Sequence, residues 1–303
     1  MFKLAIILFL SCTVLLPHAT GQTFNQQFRD LLSKKDTVGQ RILLEKWEAT
    51  NQNDPELYVA YFNYYVQKSR KEIVRLDNNP NGSSALQIMN NDTSKKDPVG
   101  YMYSEITYEP ELLKKGFFYV DKGIEKFPTR LDMRFGKIYM YGQIQDFASF
   151  TNAIVLTIDY SMVILNKWTW TDNKPVENPQ NFMLGSLQDY QVQLYNTGNE
   201  SLLDNMRKIA ETVLKYYPDD VESLSNLSVT YLLKKEYDKA LVPLLRAEKL
   251  APTDYIVLSN IAQAYKLQGD SKNAVVYYKL VIINGDDQAK EYAKSQVAAL
   301  EKK

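Results

Sequence analysis

The chain has 303 residues, balances 36 Lys+Arg against 36 Asp+Glu, and holds a single Cys and a single His. Without a basic excess there is little to neutralise phosphates, so nucleic acid is not an expected partner. Cys12 and His18 both fall near the N-terminus, inside a segment that reads as an export signal.

That segment is residues 1–21. Lys3 precedes an apolar run from Leu4 to Leu16, Pro17 breaks it, and Ala19-Thr20-Gly21 supplies small residues for cleavage after Gly21. The run of 13 residues is shorter than the ~20 a membrane span needs. An alternative makes Cys12 a lipid-attachment site, since Leu10-Ser11-Cys12 loosely resembles a lipobox, but Thr13-Val14-Leu15-Leu16 carries the apolar run past it. Either way the protein is expected to be exported, to the periplasm or the cell surface. Cleavage after Gly21 removes both imidazole and thiol. Disulfides, Cys/His zinc sites and His-based nucleophilic relays are then excluded, and no catalytic, cofactor or metal residue is expected. In the mature part Ala153–Leu165 comes closest to a span, but it is 13 residues long and carries Asp159.

Residues 22–68 read as a helical hairpin: Arg41–Thr50, a break at Asp54-Pro55, then Glu56–Lys68. Tyr58, Tyr61 and Tyr65 recur at i, i+3 and i+7 and so form a core stripe, which leaves Tyr64 as the contact candidate. Residues 69–110 interrupt the helical period, with a β-hairpin expected from Ala85–Met89 and Tyr101–Tyr108. Here Asp77-x-Asn79-x-Asn81-Gly82 matches the opening of a calcium loop. Ile88 stands where the bidentate Glu belongs, however, so the reading is a turn.

Residues 111–198 read as divergent helix pairs. Phe117–Phe127 is a second helix ended by Pro128, and Phe135-Gly136-x-x-Tyr139 begins the core of a first helix, with Ala148 in the small position of its partner. The helix around Ile154, Ile158, Met162 and Leu165 is apolar on its other sides too, which predicts an interior helix. Asp159 on it is expected to find a hydroxyl or a cationic partner. Residues 166–185 form a long loop. Trp168 and Trp170 share a face of it, either as an aromatic platform for a ligand or as a plug over the neighbouring helices.

Residues 199–303 carry the clearest signal. Ser201–Tyr217 is a second helix, after which a shift of 34 residues lays the sequence on itself: Leu224 on Leu258, Asn226 on Asn260, Leu227 on Ile261, Tyr231 on Tyr265, and Ala240 on Ala274. Leu224, Leu227 and Tyr231 are the expected buried stripe. Asp219-Asp220 and Asp286-Asp287, which as acid pairs could suggest a glycosidase, sit where helix caps belong.

A 34-residue period of this kind resembles the tetratricopeptide repeat (TPR), two antiparallel helices per unit. The whole chain looks like exported bacterial TPR proteins of uncharacterised function. Arg130-Leu131-Asp132-x-Arg134-Phe135-Gly136 and the Trp168-x-Trp170-Thr171-Asp172-Asn173-Lys174 run look like signatures of that group. The resemblance implies a predominantly all-α, TPR-like superhelix with a small β insertion, acting as a non-catalytic adaptor that holds a protein or extended peptide in its concave face. The expected contact residues are Glu222, Ser225, Asn226, Val229, Ser259, Asn260, Gln263 and Lys266, joined by Trp168 and Trp170 if these form a platform. Asn226 and Asn260 fall where TPR grooves place a peptide-binding asparagine, although either could instead bond the adjacent helix. The rival functions are a glycan- or small-ligand-binding component of an uptake system, and an enzyme using carboxylates alone.

Overall fold

A computed structural model describes residues 22–79, 84–91 and 97–302. The export-signal residues, Cys12 and His18 among them, and Asn81-Gly82 of the calcium-like motif lie outside the described residues.

The chain is a run of helix pairs: α1 (Phe24–Ser33) with α2 (Thr37–Thr50), α3 (Pro55–Ser69) with α4 (Pro110–Lys126), α5 (Leu131–Gln143) with α6 (Phe147–Val163), α7 (Pro179–Asn196) with α8 (Leu203–Tyr216), α9 (Val221–Leu233) with α10 (Tyr237–Leu250), α11 (Tyr255–Gln268) with α12 (Ser271–Asn284), and a closing α13 (Asp287–Leu300). Stacked pairs of this kind make the fold TPR-like and predominantly α-helical.

Local chemistry sets the pairing. Between first and second helices a residue takes the left-handed conformation, and the amide after it reaches back across the turn. Lys35, Gln145, Lys235 and Gly269 all have positive φ, and Asp36, Asp146, Glu236 and Asp270 donate to Leu31, Tyr141, Tyr231 and Tyr265 carbonyls at 2.9–3.0 Å. Three of those acids then cap the next helix: Asp36 accepts from Gly39 N, Asp146 from Ser149 N and Asp270 from Asn273 N. Asp220 and Asp286 cap α9 and α13 in the same manner, and Asp219 pairs with Arg246. Close approach is permitted where side chains shrink. A Cβ at Gly123 of α4 would meet Tyr58 Cβ at 2.8 Å, so that crossing of α3 and α4 requires glycine.

The insertion is a three-stranded antiparallel sheet rather than a hairpin, β1 (Arg70–Asp77), β2 (Leu86–Met89) and β3 (Pro98–Tyr108), in the order β1-β3-β2. The unexpected strand, β1, is a mixed charged and apolar segment that declares itself only by pairing along β3 from Arg70↔Tyr108 to Asp77↔Tyr101. The sheet rises from the turn between α3 and α4, closed at its base by Glu109 N donating to Ser69 O at 2.8 Å. In register, Val74, Leu76, Leu86, Ile88, Met102 and Ile106 share one face, and all are exposed. After β1, Asp77 Oδ1 accepts from Asn78 N and Asn79 N, the turn chemistry of its sequence.

Three further sequence expectations need correction. Tyr64 is buried and Tyr65 half-buried, because α3 is covered on more than one side and burial spreads beyond a single stripe. The α6 helix is not enclosed: Ile154 and Ile158 are buried, whereas Leu156, Met162, Val163 and Leu165 face outward. Asp159 is correspondingly part-exposed, accepting from Tyr216 Oη at 2.7 Å with Lys215 Nζ at 3.9 Å. On α9 the buried positions are Ser223, Leu224, Ser225, Ser228 and Thr230; Leu227 and Tyr231 are half-buried, with the Arg207 guanidinium 4.5 Å over the Tyr231 ring. Of the two readings of the tryptophan loop, Trp168 follows the plug: it is 1% exposed, under the Arg134 guanidinium and tilted against Tyr160. Trp170 is half-buried, edge-on to Phe135 and Phe182.

The loop carrying these tryptophans is pinned by a buried charge network. Arg130, 0% exposed, donates to Glu56 Oε1 at 2.7 Å and to both Asp132 oxygens at 2.8 and 2.7 Å. Glu56 Oε1 also accepts from Asp172 N at 2.8 Å. Burial works against the Arg130 charge, but the hydrogen bonds and charges of Asp132 and Glu56 outweigh it and raise the guanidinium pKa. The backbone follows: Leu131 N donates to Thr169 O at 3.0 Å and Thr169 N to Thr129 O at 2.9 Å.

Two stability effects are expected. Arg130→Met strands the buried Glu56 carboxylate and the mostly buried Asp132 one and should destabilise by about 3–5 kcal/mol, read as a lowered urea midpoint; an unchanged midpoint means the network is dispensable. Lys235→Gly relieves a left-handed non-glycine residue and should stabilise by about 1 kcal/mol, whereas Lys235→Ala should change stability by less than about 0.5 kcal/mol.

Candidate functional site

First helices of consecutive pairs lie side by side, and along α7, α9 and α11 they enclose a cavity of about 330 Å³. From α9 come Val221, Glu222, Ser225, Asn226 and Val229, spaced to fall on one helical face. From α11 and its cap come Asp254, Ile256, Val257 and Asn260. The far wall is α7, which presents Gln188, Gln191, Val192 and Tyr195 at i, i+3, i+4 and i+7. Tyr195, Val192 and Ile256 are exposed large apolar side chains here, interleaved with amides. A neighbouring cavity of about 400 Å³ shares Tyr195 and Met206, so the trough runs on toward the turn at 196–200.

The two asparagines tie the trough together. Asn226 Nδ2 donates to Gln188 Oε1 at 2.5 Å, and Asn260 Nδ2 to Ser225 Oγ at 2.9 Å. Each thus bridges to the preceding first helix, yet both remain half-buried on the cavity wall. Ser225 is buried by this bridge.

Of the residues expected on the concave face, Glu222, Ser225, Asn226, Val229 and Asn260 come together. Ser259, Gln263 and Lys266 do not line this cavity: Gln263 Oε1 accepts from Tyr278 Oη within its own pair at 3.0 Å, and Lys266 Nζ donates forward to Gln296 Oε1 on α13 at 2.7 Å. Trp168 and Trp170 belong to the core around α5–α8 and are not in this wall. What the sequence reading missed is α7. Its spacing of Gln188, Gln191, Val192 and Tyr195 was a legible helical signal, masked by the proline-bearing loop before it.

Electrostatically the trough is acidic. Among the described residues its lining contains Glu222 and Asp254 and no Lys or Arg. Glu222 stands at the rim, where partial desolvation of its carboxyl, then the charges of Asp220, Asp254 and Asp189, raise its pKa. At its base Gln191, 3% exposed, donates through Nε2 to Met206 O at 3.0 Å, and its Oε1 has no donor among the described residues.

One further cavity, of about 280 Å³, is bounded by Asn25, Glu56, Asn63, Asp132 and Thr171. Its two carboxylates are engaged by Arg130, so it belongs to the packing of α3 against α5. Among the described residues no group of three or more His, Cys, Asp or Glu is placed to hold a metal ion, and no helix is long and apolar enough to cross a membrane.

No protein-family model and no curated protein matches the chain. Solved structures do. The TPR domain of P58(IPK) is 13% identical, the match covering 92% of this chain and 65% of that one with a TM-score of 0.34. The APC/C hetero-tetramer Cut9-Hcn1 is 12% identical over 90% of this chain and 48% of that one, TM-score 0.32. The C-terminal part of a TPR repeat-containing protein from Cytophaga hutchinsonii is 18% identical over 91% and 95% of the two chains, TM-score 0.37. The chain spans less than two thirds of the first two. Its own helix pairing, rather than these likenesses, defines the fold as TPR-like.

A carboxyl whose folded pKa is raised destabilises the fold once the pH passes the ordinary carboxylate range, because the unfolded chain releases that proton more readily. Glu222→Gln should therefore raise the melting temperature at neutral pH and leave it unchanged in acid below that range. Equal shifts at both pH values would show that ionisation is not the cause.

Proposed function

We propose that the protein is a non-catalytic binding scaffold that takes up an extended polypeptide segment in the trough formed by α7, α9 and α11. The observation that carries this reading is the mixed lining: amides at Gln188, Gln191, Asn226 and Asn260 alternate with the part-exposed apolar side chains of Val192, Tyr195, Val229 and Ile256. An extended peptide offers that combination in return, with a backbone amide or carbonyl for an amide side chain at each step and side chains alternating to either side. The trough runs on past Tyr195 into the neighbouring cavity, which leaves room for a segment from the middle of a chain. With no base in its lining it is not built to clamp a terminal carboxylate, which calls for charge-assisted donors. Residues 1–21 support a further part of the proposal, that the scaffold works outside the cytoplasm.

The test is selection of phage-displayed random peptides on the immobilised protein, followed by affinity measurement of the selected sequences as internal, amidated peptides. Val229→Trp, which fills the trough from a part-exposed position, should weaken binding by at least about tenfold without lowering the melting temperature. Retention of full affinity by a folded Val229→Trp protein places the binding elsewhere.

A further inference from the structure

Resting on that reading, we infer that the segment the trough receives carries a lysine or arginine, whose cationic head is held between Glu222 and the Gln191 side-chain carbonyl. Two independent features of the wall point to it. The first is charge: Glu222 and Asp254 line the trough, Asp189 and Asp220 stand close enough to act on Glu222, and the described lining offers no cation in return. A carboxyl held among like charges gains from any cation brought to it, and gains more where solvent is partly excluded.

The second feature is the orphaned acceptor. Gln191 is buried on the cavity floor with its Nε2 already committed to Met206 O, which fixes the amide so that Oε1 is the end left open. A buried carbonyl without a donor is a standing cost of about 1–3 kcal/mol, removed when a donor arrives. The amides that bridge the wall are engaged elsewhere, Asn226 Nδ2 with Gln188 Oε1 and Asn260 Nδ2 with Ser225 Oγ, and the carboxylates of the lining, Glu222 and Asp254, can only accept. An ammonium or guanidinium brings several N–H donors on a flexible apolar stem, and Val192 and Val229 give that stem an apolar wall. An acidic segment meets repulsion here, and an aliphatic side chain would fill space but leave Gln191 unsatisfied.

The experiment uses three fluorescein-labelled, acetylated and amidated nonapeptides of alternating serine and valine that differ only at the centre: lysine, methionine or glutamate. Affinity is read by fluorescence polarisation at low salt for the wild type, Glu222→Gln and Gln191→Leu, with the melting temperature of each. The expected result is a lysine peptide at least about tenfold tighter than the methionine one, with the glutamate peptide weakest. Glu222→Gln should erase the lysine preference and the salt dependence that accompanies it. Gln191→Leu should weaken the lysine peptide selectively while holding or raising the melting temperature, an outcome a purely structural glutamine could not give. If Gln191→Leu does not fold, the rim substitution Glu222→Gln carries the decision alone. Equal binding of all three peptides to the wild type, or a preference for glutamate, overturns the cation inference and leaves the trough as a peptide site. Failure of every peptide to bind the wild type overturns both.

Discussion

The most demanding residue in the molecule is Arg130. A guanidinium wholly removed from water is tolerable only if its donors are matched, and here Glu56 and Asp132 match it from two sides. Glu56 lies in the first turn of α3 and Asp132 in the first turn of α5, so one cation sets the spacing between the N-terminal ends of two consecutive first helices. Because Glu56 also accepts the Asp172 amide, the tryptophan-bearing loop is drawn into the same arrangement. The left-handed backbone at Asp172 and Asn173 follows from that demand, since the loop must turn sharply to bring its amide to the carboxylate. Once the loop is held, Trp168 has its place under Arg134, and the middle core closes around it.

Regular stacking further along does for the C-terminal half what the ion network does for the middle. There the bridge between first helices is neutral: an asparagine on each reaches back to a polar group on the one before. Such bridges leave the helices parallel and a little apart, and the trough is the space between them. Its acidity has a structural source as well. Asp220 and Asp254 are present because helices α9 and α11 need N-caps, and consecutive first helices start at the same edge of the stack. Capping carboxylates therefore collect at one end of the groove, and Glu222, in the first turn of α9, adds to them.

The repeat itself was legible in the sequence because 34-residue spacing survives wherever two helices must bury the same stripe against identical neighbours. The caps were legible for a local reason: an Asp after a turn and before an apolar period has one dominant use. Legibility failed where tertiary context overrode local pattern. Leu227 and Tyr231 fall on the repeat register opposite Ile261 and Tyr265, but Ser228 and Thr230, both 0% exposed, take the deepest positions on α9. Helix α1 was passed over although Thr23 and Gln26 form a capping box at its start. Strand β1 had no periodicity of its own to betray it, and the α7 side of the trough went unseen because that helix follows a loop whose prolines suggested irregular chain. The Glu56–Arg130–Asp132 cluster joins residues far apart in the chain, Glu56 in α3 to Arg130 and Asp132 at the start of α5, and no local rule connects them.

The sheet between α3 and α4 bears on how such an array can vary. Chain leaves the stack at Ser69 and returns at Glu109, and the two points are joined by one backbone hydrogen bond. From the standpoint of the helices, the excursion is a turn like those at Lys35 or Gly269, only with more chain outside it. Loop closure depends weakly on length, each doubling costing about 0.6 kcal/mol. The superhelix is therefore nearly indifferent to what is hung from that turn. An appendage can lengthen, shorten or change its exposed face there while the trough at the other end of the array keeps its shape.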